Sequence, residues 1–472
     1  MRTKDWLPRV ALGVAGGRSL VCRGPRAGVG ADRRDSAVRR AVAVVAAASA
    51  LRCHGPPAVP ATGHVVVPTI GWIGSSDFVE GQAEIALSST RETLLFVATG
   101  SATASVTIRR TPLSKRAVPL RPLPRRDIDS RPFDAPSPPD KPPSTTKTFE
   151  LHDRKLKTWT KVQGHLVFVG AHFAYYDEDG GEPSFSSEEW ARLDARATVG
   201  FRRVVSAFGP PTDVDQDGRV TVFVSTTARA VQPDGQAFTA LCHLLGSCTP
   251  RGDVITIWAP SAKPAGDAPR PFLVDTFYPR AILHETAHLV QHAASQPPRE
   301  LHAAEFLVEG QAQLARVIGA VPSDDLLDTV CAELAGDRPT FAAHPYGMSL
   351  LLPAFLHEWR GSRIHRGLAV AMNEGPLALE RATGQPTPLL VALAFARLAD
   401  PAGGALLGQR EGVLPWARLR ACTPVVDAAA GLAEVTVVWT GTGIVRVPPL
   451  SGSSVTITST TGDTYVVASS AE

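Results

Sequence analysis

Residues 281–292 constrain this chain more than any other stretch, because they carry His284-Glu285-Thr286-Ala287-His288, an H-E-x-x-H pattern. Leu283, Ala287 and Val290 recur at the spacing of a buried apolar stripe. Neither Gly nor Pro interrupts 281–296, so a helix is expected here. On a helix, positions i and i+4 share one face, one turn apart. His284 and His288 therefore present two imidazoles to a single metal ion. Glu285 stands beside them, where a carboxylate can take a proton from a water on that ion. The same pattern also fits a buried helix whose two His are hydrogen-bonded core residues, so a second element must decide.

A catalytic zinc takes three protein ligands and keeps one position open. Glu309, downstream of His288, is the candidate third ligand, and Glu305, one turn earlier on the same expected helix, is its main competitor. His292 is one turn beyond His288, but three consecutive turns of one straight helix converge poorly on one ion. The alternative layout with a third His six positions after His288 is absent, since that position is Ala294.

The charge distribution argues against nucleic acid as a partner. The chain carries a net +3, yet residues 1–50 hold ten Lys/Arg and three Asp/Glu, which leaves the remainder mildly acidic. Arg39-Arg40 followed by the apolar run Ala41–Leu51 and the small-x-small Ala48-Ser49-Ala50 has the form of an export signal, so residues 1–52 are expected to be a leader. A secreted or cell-envelope location follows, with no stable membrane span, because no segment is long and apolar enough to cross a bilayer. The six Cys suit an oxidising compartment. Cys242 and Cys248 can close a small loop, and Cys331 and Cys422 a longer one. Oligomeric state is not legible.

Residues 54–110 alternate short β-prone runs with Gly, Ser and Thr and read as a small β module, prodomain-like in position. The Pro-rich stretch 111–147 reads as an extended linker, either a processing site or a plain spacer. The main domain is expected over 148–405. Within it, Ser186 and Glu189 form a capping box, Phe185 can staple onto Trp190, and the helix they start ends at Gly209-Pro210-Pro211. Asp213, Asp215 and Asp217, followed by Gly218, resemble the first half of a calcium loop, although the twelfth position is Val224, so no complete EF-hand is present. An Asp-rich turn into a strand is the other reading. Residues 228–252 read as a loop. The strand Asp253–Ala259 precedes the central helix and is expected to lie along the cleft, where it can pair with an extended peptide. Helices follow at 304–314, 324–335, 346–359, 364–373 and 388–399, and residues 430–472 turn to β again.

Leu307-Val308-Glu309-Gly310-Gln311-Ala312 resembles the Leu-x-Glu-Gly-x-Ala signature of gluzincin metallopeptidases. The order of parts over about 165–400 resembles the bacterial hyicolysin-like group, with departures at Thr286, Ala287 and Gln313. The resemblance implies an α+β, thermolysin-like zincin domain, a mixed sheet plus a helical lobe, here with small β modules at both ends. It implies zinc held by His284, His288 and Glu309, with Glu285 as general base in a secreted endopeptidase acting on protein or peptide. Such a mechanism needs a further donor for the oxyanion. Tyr346 is the candidate, with a core-packing aromatic as the other reading. Glu305 can orient a ligating His or be a solvated helix face. A catalytically inactive metallopeptidase-like surface or binding protein is the alternative, and an aminopeptidase a third.

Overall fold

The computed structural model describes residues 70–86, 93–99, 105–112, 117–124, 128–134, 142–153, 156–232, 237–260, 269–294, 305–320, 324–335, 348–399, 412–423, 426–427, 434–438, 442–447, 453–459 and 464–470. The expected leader, residues 1–52, lies outside them. The architecture is mixed α+β. Strands β1 (Ile70–Ile73), β2 (Gln82–Ala86), β3 (Thr93–Thr99) and β4 (Ser105–Pro112) come first. Then come β5 (Thr146–Asp153), β6 (Thr158–Val169), β7 (Phe173–Glu178), helix α1 (Ser187–Phe208), β8 (Val220–Ser225), α2 (Thr227–Val231), β9 (Ala237–Thr239), α3 (Leu241–Leu245) and β10 (Val254–Trp258). The helical half holds α4 (Tyr278–Ala294), α5 (Glu305–Ile318), α6 (Asp324–Leu334), α7 (Leu351–Arg360), α8 (Ile364–Ala371), α9 (Ala378–Thr383), α10 (Thr387–Ala399) and α11 (Trp416–Cys422). Strands β11 (Val426–Asp427), β12 (Glu434–Val438), β13 (Thr442–Val447), β14 (Ser453–Ser459) and β15 (Thr464–Ser470) end the chain.

The two terminal β segments, expected as separate modules, interleave in one sandwich. One sheet runs β1-β15-β3-β13-β11 and the other β12-β4-β14-β2. β3 is an interior strand, flanked by β15 and β13, both from the C-terminal segment. Its run Leu94–Ala98 is apolar at every position because both faces are covered. Leu95 and Val97 face the second sheet with Ile85, Val455 and Ile457. Leu94, Phe96 and Ala98 join the main core, where α10 carries Leu390 and Leu393. The short β-prone runs were visible in the sequence, but pairing partners more than 300 residues apart leave no local signature.

The second sheet unit is mixed, with strand order β5-β6-β7-β8-β10-β9. β7, β8 and β10 run parallel, and β9 closes the edge antiparallel to β10. One face carries Tyr175, Val222 and Ile257 toward α1 and α4, while Phe149, Phe223 and Trp258 pack on the other. The α1 start is built as the sequence indicates. The Ser186 hydroxyl accepts from the Glu189 N–H, the Glu189 carboxylate accepts from the Ser186 N–H, and the Phe185 and Trp190 rings lie 4.8 Å apart. Both disulfides join the pairs that spacing suggested, Cys242–Cys248 and Cys331–Cys422. Among the described residues, no helix is long and apolar enough to cross a membrane.

The Pro-rich stretch is laid down on the protein where it is described. The Asp129 N–H donates to the Arg360 carbonyl, the Phe133 N–H donates to the Ser206 carbonyl, and the Arg363 guanidinium sits 3.7 Å from the Phe133 ring centre. A free spacer or a detachable prodomain does not fit this arrangement, because removing β1–β4 strips partners from four C-terminal strands. An engineered protease site inserted between Asp134 and Pro142, once cut, is expected to leave the two fragments co-eluting in size-exclusion chromatography until denaturant is added. Separate elution in native buffer would overturn the shared sandwich.

Candidate metal centre

Helix α4 is placed by its ends and by its buried stripe. The Tyr278 hydroxyl donates to the Trp258 carbonyl at 2.8 Å, tying the start of α4 to the end of β10, and its ring meets Phe185 edge-on at 5.0 Å. Ile282, Leu283, Ala287, Leu289 and Val290 are buried as the apolar spacing predicts. Glycine sets how closely the helices approach. A Cβ on Gly310 would come within 2.3 Å of the Ser349 carbonyl oxygen, so α5 can lie against the segment entering α7 only with hydrogen at that position. Glu309 is the residue immediately before it.

Three ligand-type side chains converge between α4 and α5. The Nε2 atoms of His284 and His288 are 3.1 Å apart, with the rings nearly perpendicular. Glu309 Oε2 is 3.3 Å from His284 Nε2, and Oε1 is 3.7 Å from His288 Nε2. Two ligand atoms bound at tetrahedral angles to one ion at about 2.0–2.1 Å stand about 3.3 Å apart, which matches this set. All three side chains are largely buried, and Glu309 Oε2 has no hydrogen-bond donor directed at it.

The protonation state of His288 follows from its neighbours. The Gln291 side-chain amide donates to the Val308 carbonyl at 3.0 Å and to Gln311 Oε1 at 3.2 Å. A carbonyl only accepts, so the nitrogen of Gln291 lies on that side and its oxygen faces His288 Nδ1, 2.8 Å away. Nδ1 therefore carries the proton, and the Nε2 lone pair points at His284 and Glu309. Lone pairs and a carboxylate facing one another in a buried space fit a cation among them. The three residues can hold a metal ion. The imidazoles oppose the burial of Glu309 electrostatically. Burial alone would raise its pKa, but without a metal the attraction of His288 and His284 in their protonated form outweighs it and holds the carboxyl below its ordinary value.

Glu285 is not part of this ligand group. It is 6 % exposed, and burial pushes its carboxyl up to about 7, with His288 and hydrogen bonds from Thr239 pulling the other way and Glu309 adding to the rise. Thr239 is thus a neighbour that opposes the effect of burial on Glu285. Thr239 lies on β9, which corrects the expected place of the cleft strand. β10 is paired on both sides, by β8 and β9, and the edge strand is β9. A three-residue strand within 228–252 carries too little pattern to stand out from a loop.

The remaining candidates sort as follows. His292 lies on α4 outside the ligand group. Glu305 opens α5, but its side chain is not among the described residues, and neither is Tyr346. Asp217 does not join Asp213 and Asp215. Its oxygens accept from the Arg219 N–H and approach the Lys147 ammonium, and Asp253 takes the third place in that cluster. Cys242, His243 and Cys248 also lie together, but the two sulfurs are spent in the disulfide. Sequence reasoning missed Gln291, Gln311 and Thr239. Gln291 is one turn past His288 on the same helix, and that spacing is the signal that was available.

Because Gln291 fixes the tautomer of a ligating imidazole, Gln291→Leu is expected to weaken metal binding by roughly 10–100-fold, as loss of such a partner commonly does. Gly310→Ala should lower both metal content and the unfolding midpoint. Metal analysis and thermal unfolding check the pair, and unchanged affinity in Gln291→Leu would reject the positioning role. No protein-family model matches this chain, and no curated protein matches it in sequence.

Proposed function

We propose that this chain is a secreted zinc-dependent endopeptidase of the gluzincin type, with a thermolysin-like arrangement of its main domain and Zn2+ held by His284, His288 and Glu309. The observation that carries the reading is the combination of two nitrogen donors and a carboxylate converging from two helices with a buried carboxylate, Glu285, next to them and outside the ligand set. Two imidazoles and one carboxylate are a donor set suited to zinc with one open position. The two disulfides support an oxidising, extracytoplasmic setting.

When bound, zinc supplies Lewis acidity, polarising a carbonyl and lowering the pKa of water toward neutrality. Glu285 takes the proton of the attacking water and later delivers it to the leaving amine. Thr239, on β9, favours the ionised form of the Glu285 carboxyl, against the effect of burial. Gln291 keeps the His288 proton on Nδ1, so that its Nε2 stays a donor to the ion. The edge of β9 that pairs with no other strand among the described residues offers backbone groups with which an extended peptide can pair as an added strand, and this brings a scissile bond past Glu285. Recognition through main-chain hydrogen bonds along a strand edge suits cleavage within a peptide rather than at its amino terminus.

Glu285→Gln is expected to lower casein hydrolysis by roughly 10²–10⁴-fold while zinc content stays at the wild-type level. Glu309→Ala should lose zinc and activity together. Full activity in Glu285→Gln would refute the assignment. Zinc binding in the wild type without any hydrolysis of protein or blocked peptides would favour an inactive binding protein.

A further inference from the structure

We infer that Asp213, Asp215 and Asp253 form a second metal site, for a hard oxygen-binding divalent cation of the calcium class, separate from the histidine centre and independent of the reading above. The three carboxylates come from two places in the chain. Asp213 and Asp215 lie in the loop before β8, and Asp253 is the residue before β10. Their ligand oxygens lie within 4.8 Å of one another.

The loop is wound for this purpose by local conformation. Gln216 and Gly218 take left-handed backbone angles, φ 57 and 65, and the Gly218 N–H donates to Asp213 Oδ2 at 3.0 Å. Gly252 lets the second segment come close, since a Cβ there would stand 2.7 Å from Asp215 Oδ2. The result is a bowl in which carboxylates from both segments meet.

What points to a ligand is the state of the buried oxygens. Asp253 is 3 % exposed, and its Oδ1 has no hydrogen-bond partner. Asp215 Oδ1 is likewise buried without one. Leaving a buried carboxylate oxygen unpartnered is costly, and such groups are ordinarily paired or bound to a metal. The one ammonium placed against the group does not satisfy them. Lys147 Nζ stands 3.5 Å from Asp215 Oδ2 and 3.5 Å from Asp217 Oδ2 and gives its shortest bond, 3.0 Å, to the Thr221 hydroxyl. It engages Oδ2 of Asp215 and Asp217 and leaves the buried Oδ1 atoms of Asp215 and Asp253 without a hydrogen-bond partner.

The donor chemistry chooses the ion class. The set is all oxygen, with no thiolate or imidazole, which suits Ca2+ and not zinc or copper. Ca2+ tolerates the irregular geometry of a loop better than Mg2+, which demands near-ideal octahedral coordination. Occupancy would join the starts of β8 and β10, two neighbouring parallel strands. β10 in turn carries β9 with Thr239 and, through Trp258, the anchor of α4.

The test uses the full chain in its zinc-loaded form. CaCl2 at a hundredfold excess over its dissociation constant is expected to raise the unfolding midpoint by roughly 5 °C. Tb3+ should bind with luminescence sensitised through nearby aromatic side chains, and Ca2+ should displace it. Asp253→Asn and the exposed Asp213→Asn should each weaken Ca2+ binding by roughly tenfold or more. Glu309→Ala should keep the calcium response while losing zinc, which separates failure of this site from failure of the histidine centre. Absence of saturable Ca2+ binding in the wild type, or unchanged binding in Asp213→Asn and Asp253→Asn alike, would overturn the proposal.

Discussion

Lone pairs brought together inside a protein repel one another unless something positive sits among them, and the middle of this structure is arranged around that condition. His284, His288 and Glu309 meet with donor atoms 3.1–3.7 Å apart. The Gln291 amide removes the easiest relief, a tautomer shift that would place a proton at His288 Nε2. The cost of holding such a set is distributed through the packing of α4 against α1 and α5. There Gly200 and Gly319 both border the Leu283 side chain, and Gly310 borders Ser349. Helices that approach this closely hold their side chains in one arrangement, which is what a three-point ligand set requires.

The surrounding frame explains why the site needs so much chain. The mixed sheet supplies the floor, with β10 fixing the start of α4 and β9 reaching Glu285. The helical lobe is held by a buried ion pair. Glu358 on α7 accepts from Arg397 Nε on α10 at 2.8 Å and from Trp416 Nε1 on α11 at 2.7 Å, and the N–H of Val413 completes its set. α10 then presents its far side to the sandwich built from both chain ends. α10 also packs on α7, and α7 on α5, so contiguous packing connects the sandwich to the wall behind α5.

Much of this was legible, and what was not has identifiable physical causes. The H-E-x-x-H helix, the Glu-Gly helix, the Ser186 capping box and the Cys242–Cys248 pair rest on local signals: periodicity, turn chemistry and Cys spacing, whereas Cys331 and Cys422 stand 91 positions apart. The shared sandwich was missed because β3 and β15 each read correctly as a strand while nothing in either names the other. The edge strand was misplaced from β9 to β10 because Ala237–Thr239 is too short to show alternation, whereas Val254–Trp258 is a strong β run that is in fact fully buried. Asp217 looked like a ligand by loop analogy. Lys147, seventy positions earlier, claims it, and Asp253, far along the chain, replaces it.

Glu285 and Glu309 show how one residue type is given two tasks by its surroundings. Both are buried, so desolvation pushes both toward the neutral acid. Glu309 faces two imidazoles, and without a metal their protonated form reverses the push and keeps it an anion, as a ligand must be. Glu285 has Thr239 hydrogen bonds and one imidazole against burial and the charge of Glu309, and it settles near neutrality, where a group can both accept and return a proton. A cation among the three ligands adds positive charge beside both carboxylates and lowers both. It acts most on the one that touches it, so the order of the two is preserved. The separation of roles therefore follows from which helix face each residue occupies, Glu285 toward the β9 edge and Glu309 toward the paired rings.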